Sequence, residues 1–154
     1  MIKKILMVIG ALTIIGVIVV VGGTYYVGNK ITGEIAKREP EFRQYVTMTT
    51  EEQNAYVSKN INELYSTILP LAGVNDEEMA EMQTVMKQLD SDPQILQAKI
   101  NWGRAAVAMF IVDNPNITKD LSADVLQKLQ EEKNQYEVRQ LEYKKLINEY
   151  KLKK

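Results

Sequence analysis

From Ile5 to Val27 the chain carries no charged residue. Roughly 20 apolar residues are enough for a helix to cross a hydrocarbon core about 30 Å thick. A helix apolar on every face is rare in a soluble protein of this size. The run, centred on Ile15, is therefore expected to span a membrane, with contact to lipid over residues 5–27. Lys3 and Lys4 precede it, as in an export signal or at the cytoplasmic side of an anchor. Tyr25 and Tyr26 close it, where amphipathic rings favour the headgroup layer.

A retained anchor fits the run better than a cleaved signal. The apolar core of a signal is usually about 7–15 residues. The end of the run, VVVGGTYY, is a poor match to a small-x-small cleavage site, and the absence of cysteine excludes an acylated lipoprotein. Basic residues on the two sides are nearly balanced, Lys3 and Lys4 against Lys30, Lys37 and Arg38. The first pair abuts the apolar core directly, and the second group is mixed with Glu34 and Glu39. The expected topology is a single pass through the cytoplasmic membrane, N-terminus inside and C-terminal domain outside. Gly10, Gly16, Gly22 and Gly28 repeat every six residues, which puts successive glycines on different helix faces and makes no dimer seam.

Beyond Lys30 there is chain for one small domain. All 20 acidic residues but only 17 of the 19 basic ones lie beyond the apolar run, a balance near −3 that disfavours a nucleic-acid surface. With no Cys and no His, disulfides, thiolate sites, imidazole triads and imidazole zinc sites are excluded. No Walker loop or nucleophile elbow occurs. The acids at Asp76–Glu78 and Asp90–Asp92 fail calcium-loop spacing and read as helix starts. No catalytic residue, cofactor site or metal site is expected, and the chain does not read as an enzyme.

The rest is helical by pattern. Residues 29–48 are expected to continue the membrane helix outward, with a break or kink before Pro40, and then form a connector that holds at most a short helical turn. A domain over 49–154 follows. Thr49 with Glu52, or Thr50 with Gln53, gives a capping box ahead of a helix whose Val57, Ile61, Leu64, Tyr65 and Ile68 share a face, ending at Pro70 and Gly73. Asn75 caps a second helix with Met79, Met82, Val85, Met86 and Leu89 on one side. Asp92 and Pro93 open a third, which carries Ile95, Leu96, Ile100, Val107, Phe110 and Ile111, small residues at Gly103, Ala105, Ala106 and Ala108, and an apolar stretch from Ala105 to Val112. That third helix is expected to be the centre of the domain. Asn114 and Pro115 mark a loop, after which Ser122 caps a long polar helix running to about Lys151. Leu126, Leu129, Tyr136, Tyr143, Ile147 and Tyr150 form its stripe, which Lys133 and Gln140 interrupt. Tyr136, Tyr143, Ile147 and Tyr150 are the candidate interaction stripe. The fold class is all-α: one N-terminal transmembrane helix over residues 1–28, then a bundle of about four helices with a long C-terminal one.

Four pieces of the last third resemble the LemA family of bacterial membrane-anchored helical proteins. They are GRAAV from Gly103, PNI at Pro115–Ile117, KLQEE at Lys128–Glu132, and Tyr143, Ile147 and Tyr150 in a Y-x3-[VI]-x2-Y arrangement. The family's W-x-x-I-D and arginine-rich segments have no counterpart here. The resemblance implies one membrane helix, a helical outer domain and no catalytic residues.

The expected role is structural or interaction-based, an adaptor or assembly subunit of the bacterial envelope with a protein partner. Two alternatives stay open. One is a coiled-coil spacer of phage or division type, a homo-oligomer through its long helix. The other is an exported bundle, its signal cleaved, whose Met-lined core holds an apolar ligand.

Overall fold

The computed structural model describes residues 33, 36–71 and 74–152. The apolar run, with Ile5, Ile15, Tyr25, Tyr26 and Val27, lies outside the described residues, as do Gly73 and the side chains of Leu64, Tyr65 and Ile68. Among the described residues no helix is long and apolar enough to cross a membrane, and there is no strand. Seven helices are described: α1 Glu39–Tyr45, α2 Thr50–Leu71, α3 Asp76–Leu89, α4 Pro93–Val112, α5 Pro115–Thr118, α6 Ala123–Asn134 and α7 Tyr136–Leu152.

The helix starts follow local chemistry. The Thr49 hydroxyl accepts from the Glu52 N–H at 3.3 Å while Glu52 Oε2 accepts from the Thr49 N–H at 2.7 Å. Asn75 and Glu78 close the same reciprocal box on α3, at 2.9 and 3.1 Å. Asp92 Oδ1 accepts from the N–H groups of Gln94 and Ile95, and Pro93 takes the first turn of α4. α2 continues through Pro70 and ends at Leu71.

α4 is the centre of the bundle, as its composition predicts. It packs most extensively against α6 and α7, and next against α2. Ala105, Ala108 and Ile111 are fully buried. Gly103 has a specific reason to be glycine. A Cβ there would lie 2.5 Å from Val57 Cγ1 and 2.9 Å from Ile61 Cδ1, both on α2. A helix-interior glycine costs about 1 kcal/mol relative to alanine. Here it permits the close approach of α2 that buries Val57 and Ile61.

Three expectations need correction. The connector before residue 49 holds the helix α1, whose Phe42 and Tyr45 are core residues, so the packed unit begins earlier than the expected boundary. Pro40 stands in the first turn of this helix, where its missing N–H is harmless, and the turn at Arg38 just before it is the expected break. The loop after Asn114 contains the short helix α5, which buries Ile117 completely.

The third correction is the long C-terminal helix, which is two helices. They meet at Gln135, whose N–H bonds the Glu132 carbonyl at 3.1 Å in a tightened turn, while its own carbonyl accepts from the Arg139 N–H at 3.0 Å. No proline or glycine marks the spot. Leu129, Tyr136 and Tyr143 recur every seven residues, and a straight α-helix drifts about 20° per heptad from such a repeat. The tight turn allows Leu129 of α6 and Tyr136 of α7 both to be buried.

Candidate functional site

α7 is the element with chemistry on two sides. Its inner side is the expected interaction stripe, and the structure places that stripe in the core. Tyr143 and Ile147 have no exposed surface, Tyr136 is buried, and Tyr150 packs half-buried against the cluster. Trp102 of α4 stacks on Tyr143 with ring centroids 5.8 Å apart and tilts against Tyr136 at 6.0 Å. Aromatic pairs at such distances add about 0.5–1.5 kcal/mol beyond area burial. Burial pushes the phenols of Tyr136 and Tyr143 up, and for Tyr143 the nearby Asp90 carboxylate pushes in the same direction. The Tyr143 hydroxyl is buried without a hydrogen-bond partner.

An ionic clamp fixes the bend between α6 and α7. Arg139 Nη1 donates to Glu132 and, at 3.0 Å, to the Asn101 carbonyl of α4. Arg104 Nε lies 3.6 Å from the same Glu132 carboxylate. One carboxylate on α6 thus joins arginines on α4 and α7. Tyr45 sits beside this group. Burial drives its phenol up to about 12, although Arg104 pulls the other way.

Beneath the aromatic seam lies a buried lysine that pattern reading passes over. Lys99 is 1% exposed. Its ammonium donates to both Asp90 oxygens at 2.8 and 2.9 Å and to Asn62 Oδ1 at 2.8 Å, which matches its three protons. Burial lowers its pKa, and Asp90 opposes that shift. The trio joins α2 and α4 to the turn after α3. Lys99 lies four residues beyond Ile95 and three before Trp102, on the buried face of α4. That spacing is the one signal in the sequence that could have found it.

The outer side of α7 is different. Val138 and Leu141, 60% and 64% exposed, are the exposed large apolar side chains among the described residues. They stand three residues apart, with exposed Lys145 four residues beyond Leu141 on the same helix face. Among the described residues no group of three or more acids is placed to hold a metal ion. The methionines expected to share a face of α3 turn inward: Met82 and Met86 are buried, and Met79 packs half-buried against the core.

No family model matches this chain, and no curated protein or solved structure matches it.

Proposed function

We propose that this protein is a membrane-anchored helical subunit of the bacterial envelope, held by residues 5–27 with its N-terminus inside. The helical domain stands outside the cytoplasmic membrane and acts by interaction with a protein partner, as an adaptor or assembly element. The observation that carries this reading is the uncharged run behind Lys3 and Lys4, followed by a chain that builds its own packed core. The four LemA-like pieces support the same architecture. The acidic balance beyond the run disfavours a nucleic-acid partner.

The burial of Tyr136, Tyr143 and Ile147 weighs against a spacer that dimerises through that stripe. The inward Met82 and Met86 fit a close-packed core and a Met-lined bundle alike and do not separate the two. The reading has two direct tests. Intact-mass measurement on the membrane fraction should return the uncut chain, and a mature N-terminus near Thr24 would end the anchor reading. Protease added to spheroplasts should digest the domain. Digestion only after lysis would place it on the cytoplasmic side.

A further inference from the structure

α3 meets the bundle through side chains that specify its position poorly. Met82, Val85, Met86 and Leu89 are buried, and Met79 is half-buried against the core. Methionine is unbranched and flexible and fills gaps of many shapes, so it fixes a helix less firmly than a branched residue does. The spacing adds a second ambiguity. Met79, Met82 and Met86 stand three and four residues apart. A shift of α3 by one turn, about 5.4 Å, sets Met82 in the place of Met79 and Met86 in the place of Met82. Cores that keep their volume and pattern lose uniqueness before they lose stability. The main helix neighbour of α3 is α2, and the bond that Gln83 sends to Ser66 there is exposed and long, at 3.5 Å.

A directional contact removes the ambiguity. Asp90 follows the last residue of α3, and Asp92 already caps α4. Lys99 of α4 donates to both carboxylate oxygens of Asp90 at 2.8 and 2.9 Å, and to Asn62 Oδ1 of α2 at 2.8 Å. One ammonium thus sets the end of α3 against two other helices at once. In a displaced seat Asp90 leaves, and an ammonium that has almost no contact with water keeps a single acceptor. Stripping a buried charge of its partner is strongly unfavourable, whereas an apolar pair of similar volume in the native seat is close to neutral. The trio therefore adds little to the native seat over an apolar core and weighs heavily against the displaced ones. Buried polar contacts that fix the register of packed helices act in the same way.

We infer that the Lys99–Asp90–Asn62 trio is a register pin, which gives the methionine-faced helix α3 one seat on the bundle. The pin works whichever side of a membrane the domain stands on.

The test uses the full-length protein in detergent, isotope-labelled at the methionine methyl groups for NMR. Single Met→Leu substitutions assign Met79, Met82 and Met86 of α3 and Met109 of α4. The parent should give one sharp, dispersed signal for each. In the double variant Asp90→Ala with Lys99→Met, the melting midpoint should stay near that of the parent. The signals of Met79, Met82 and Met86 should split, broaden or move together towards the position of a free methionine, while that of Met109 stays single. Lys99→Met alone leaves Asp90 partly exposed to water and should disturb the same α3 signals. Sharp, dispersed α3 signals in both variants overturn the inference, because methionine packing would then seat the helix unaided. Broadening that takes in Met109 equally overturns it as well, since the trio would then hold the whole core. So does the loss of a cooperative melt in both variants, which would make the trio a source of stability and not of register.

Discussion

The two faces of α7 carry the same kinds of residue and meet opposite fates. On one, Tyr143 and Ile147 are completely enclosed; on the other, Val138 and Leu141 are more than half exposed. Hydrophobicity does not separate them. Register against α4 does. Tyr136, Tyr143, Ile147 and Tyr150 fall at spacings of seven, four and three, which keeps them on the side that meets Trp102. Val138 and Leu141 fall between those positions, on the opposite side. An apolar residue in this helix is thus a core residue only if the tightened turn at Gln135 aims it at α4.

The largest break in this contrast should come from Ile147→Asp. A carboxylate at a fully buried site, without a partner, costs several kcal/mol. That is a large share of a domain's usual stability of about 5–15 kcal/mol. Thermal unfolding of the full-length chain in detergent, followed by far-ultraviolet circular dichroism, should lose its cooperative transition. A parental melting curve would mean the inner face is not core.

Next in size is Asp90→Ala, which leaves Lys99 charged, buried and held by Asn62 alone. Removing one member of a buried pair costs about 3–5 kcal/mol, and the low end applies because the Asp90 side chain is 22% exposed. Adding Lys99→Met should recover most of the loss, since an apolar pair of similar volume needs no charge partner. If the double variant is as unstable as the single one, Asp90 acts through the turn after α3 and not through the lysine.

A smaller effect is alkaline destabilisation. Burial raises the phenols of Tyr45, Tyr56, Tyr136 and Tyr143. Unfolded phenols release protons near pH 10 while these folded ones hold theirs. Their stability contribution is complete below about pH 10 and is lost as pH rises through the folded values. Lys99 acts in the opposite sense. Its folded pKa is lowered, so stability rises with pH up to the unfolded lysine value of about 10.4. Four phenols outweigh one amine, and the melting temperature should fall above about pH 10.5. A melting temperature that keeps rising beyond that pH would contradict the assigned burial.

The smallest effect belongs to the outer face. Leu141→Asp should change stability by no more than about 0.5 kcal/mol, as an exposed substitution does. A loss comparable to that of Ile147→Asp would show that this face is covered, and the distinction between the two sides would fail.

How much of the molecule is legible in the sequence depends on whether the cause is local. Caps act within four residues, so Thr49 with Glu52 and the cap at Asn75 read directly as helix starts, while Glu78 closing a box on Asn75 is seen only in the structure. The centrality of α4 follows from its apolar stretch and its small residues. The bend at Gln135 has no local cause and therefore no local signal. The helices on both sides of it pack on α4, and Leu129 and Tyr136 flank it as buried residues. Phe42 and Tyr45 are hidden by Pro40, which reads equally as a break or as a first turn. Lys99 escapes a pattern reading because a charged residue is usually taken as solvent-facing, although its register with Ile95 and Trp102 puts it inside. Of the candidate site, the stripe on α7 reads from sequence as one face of a helix, and its burial against the same chain becomes visible only in three dimensions.

Amide hydrogen exchange on the full-length protein in a lipid nanodisc tests most directly whether α7 is part of the bundle while keeping one face free. A helix locked by its inner face to α4 shares the opening free energy of the unit it is packed in. The amides of α7 from Tyr136 to Ile147 should therefore exchange as slowly as those of α4 from Trp102 to Ile111. Exchange throughout α7 that is fast, as in an isolated helix, while α4 stays protected would contradict the account. The stripe of Tyr136, Tyr143 and Ile147 would then be free for a partner after all.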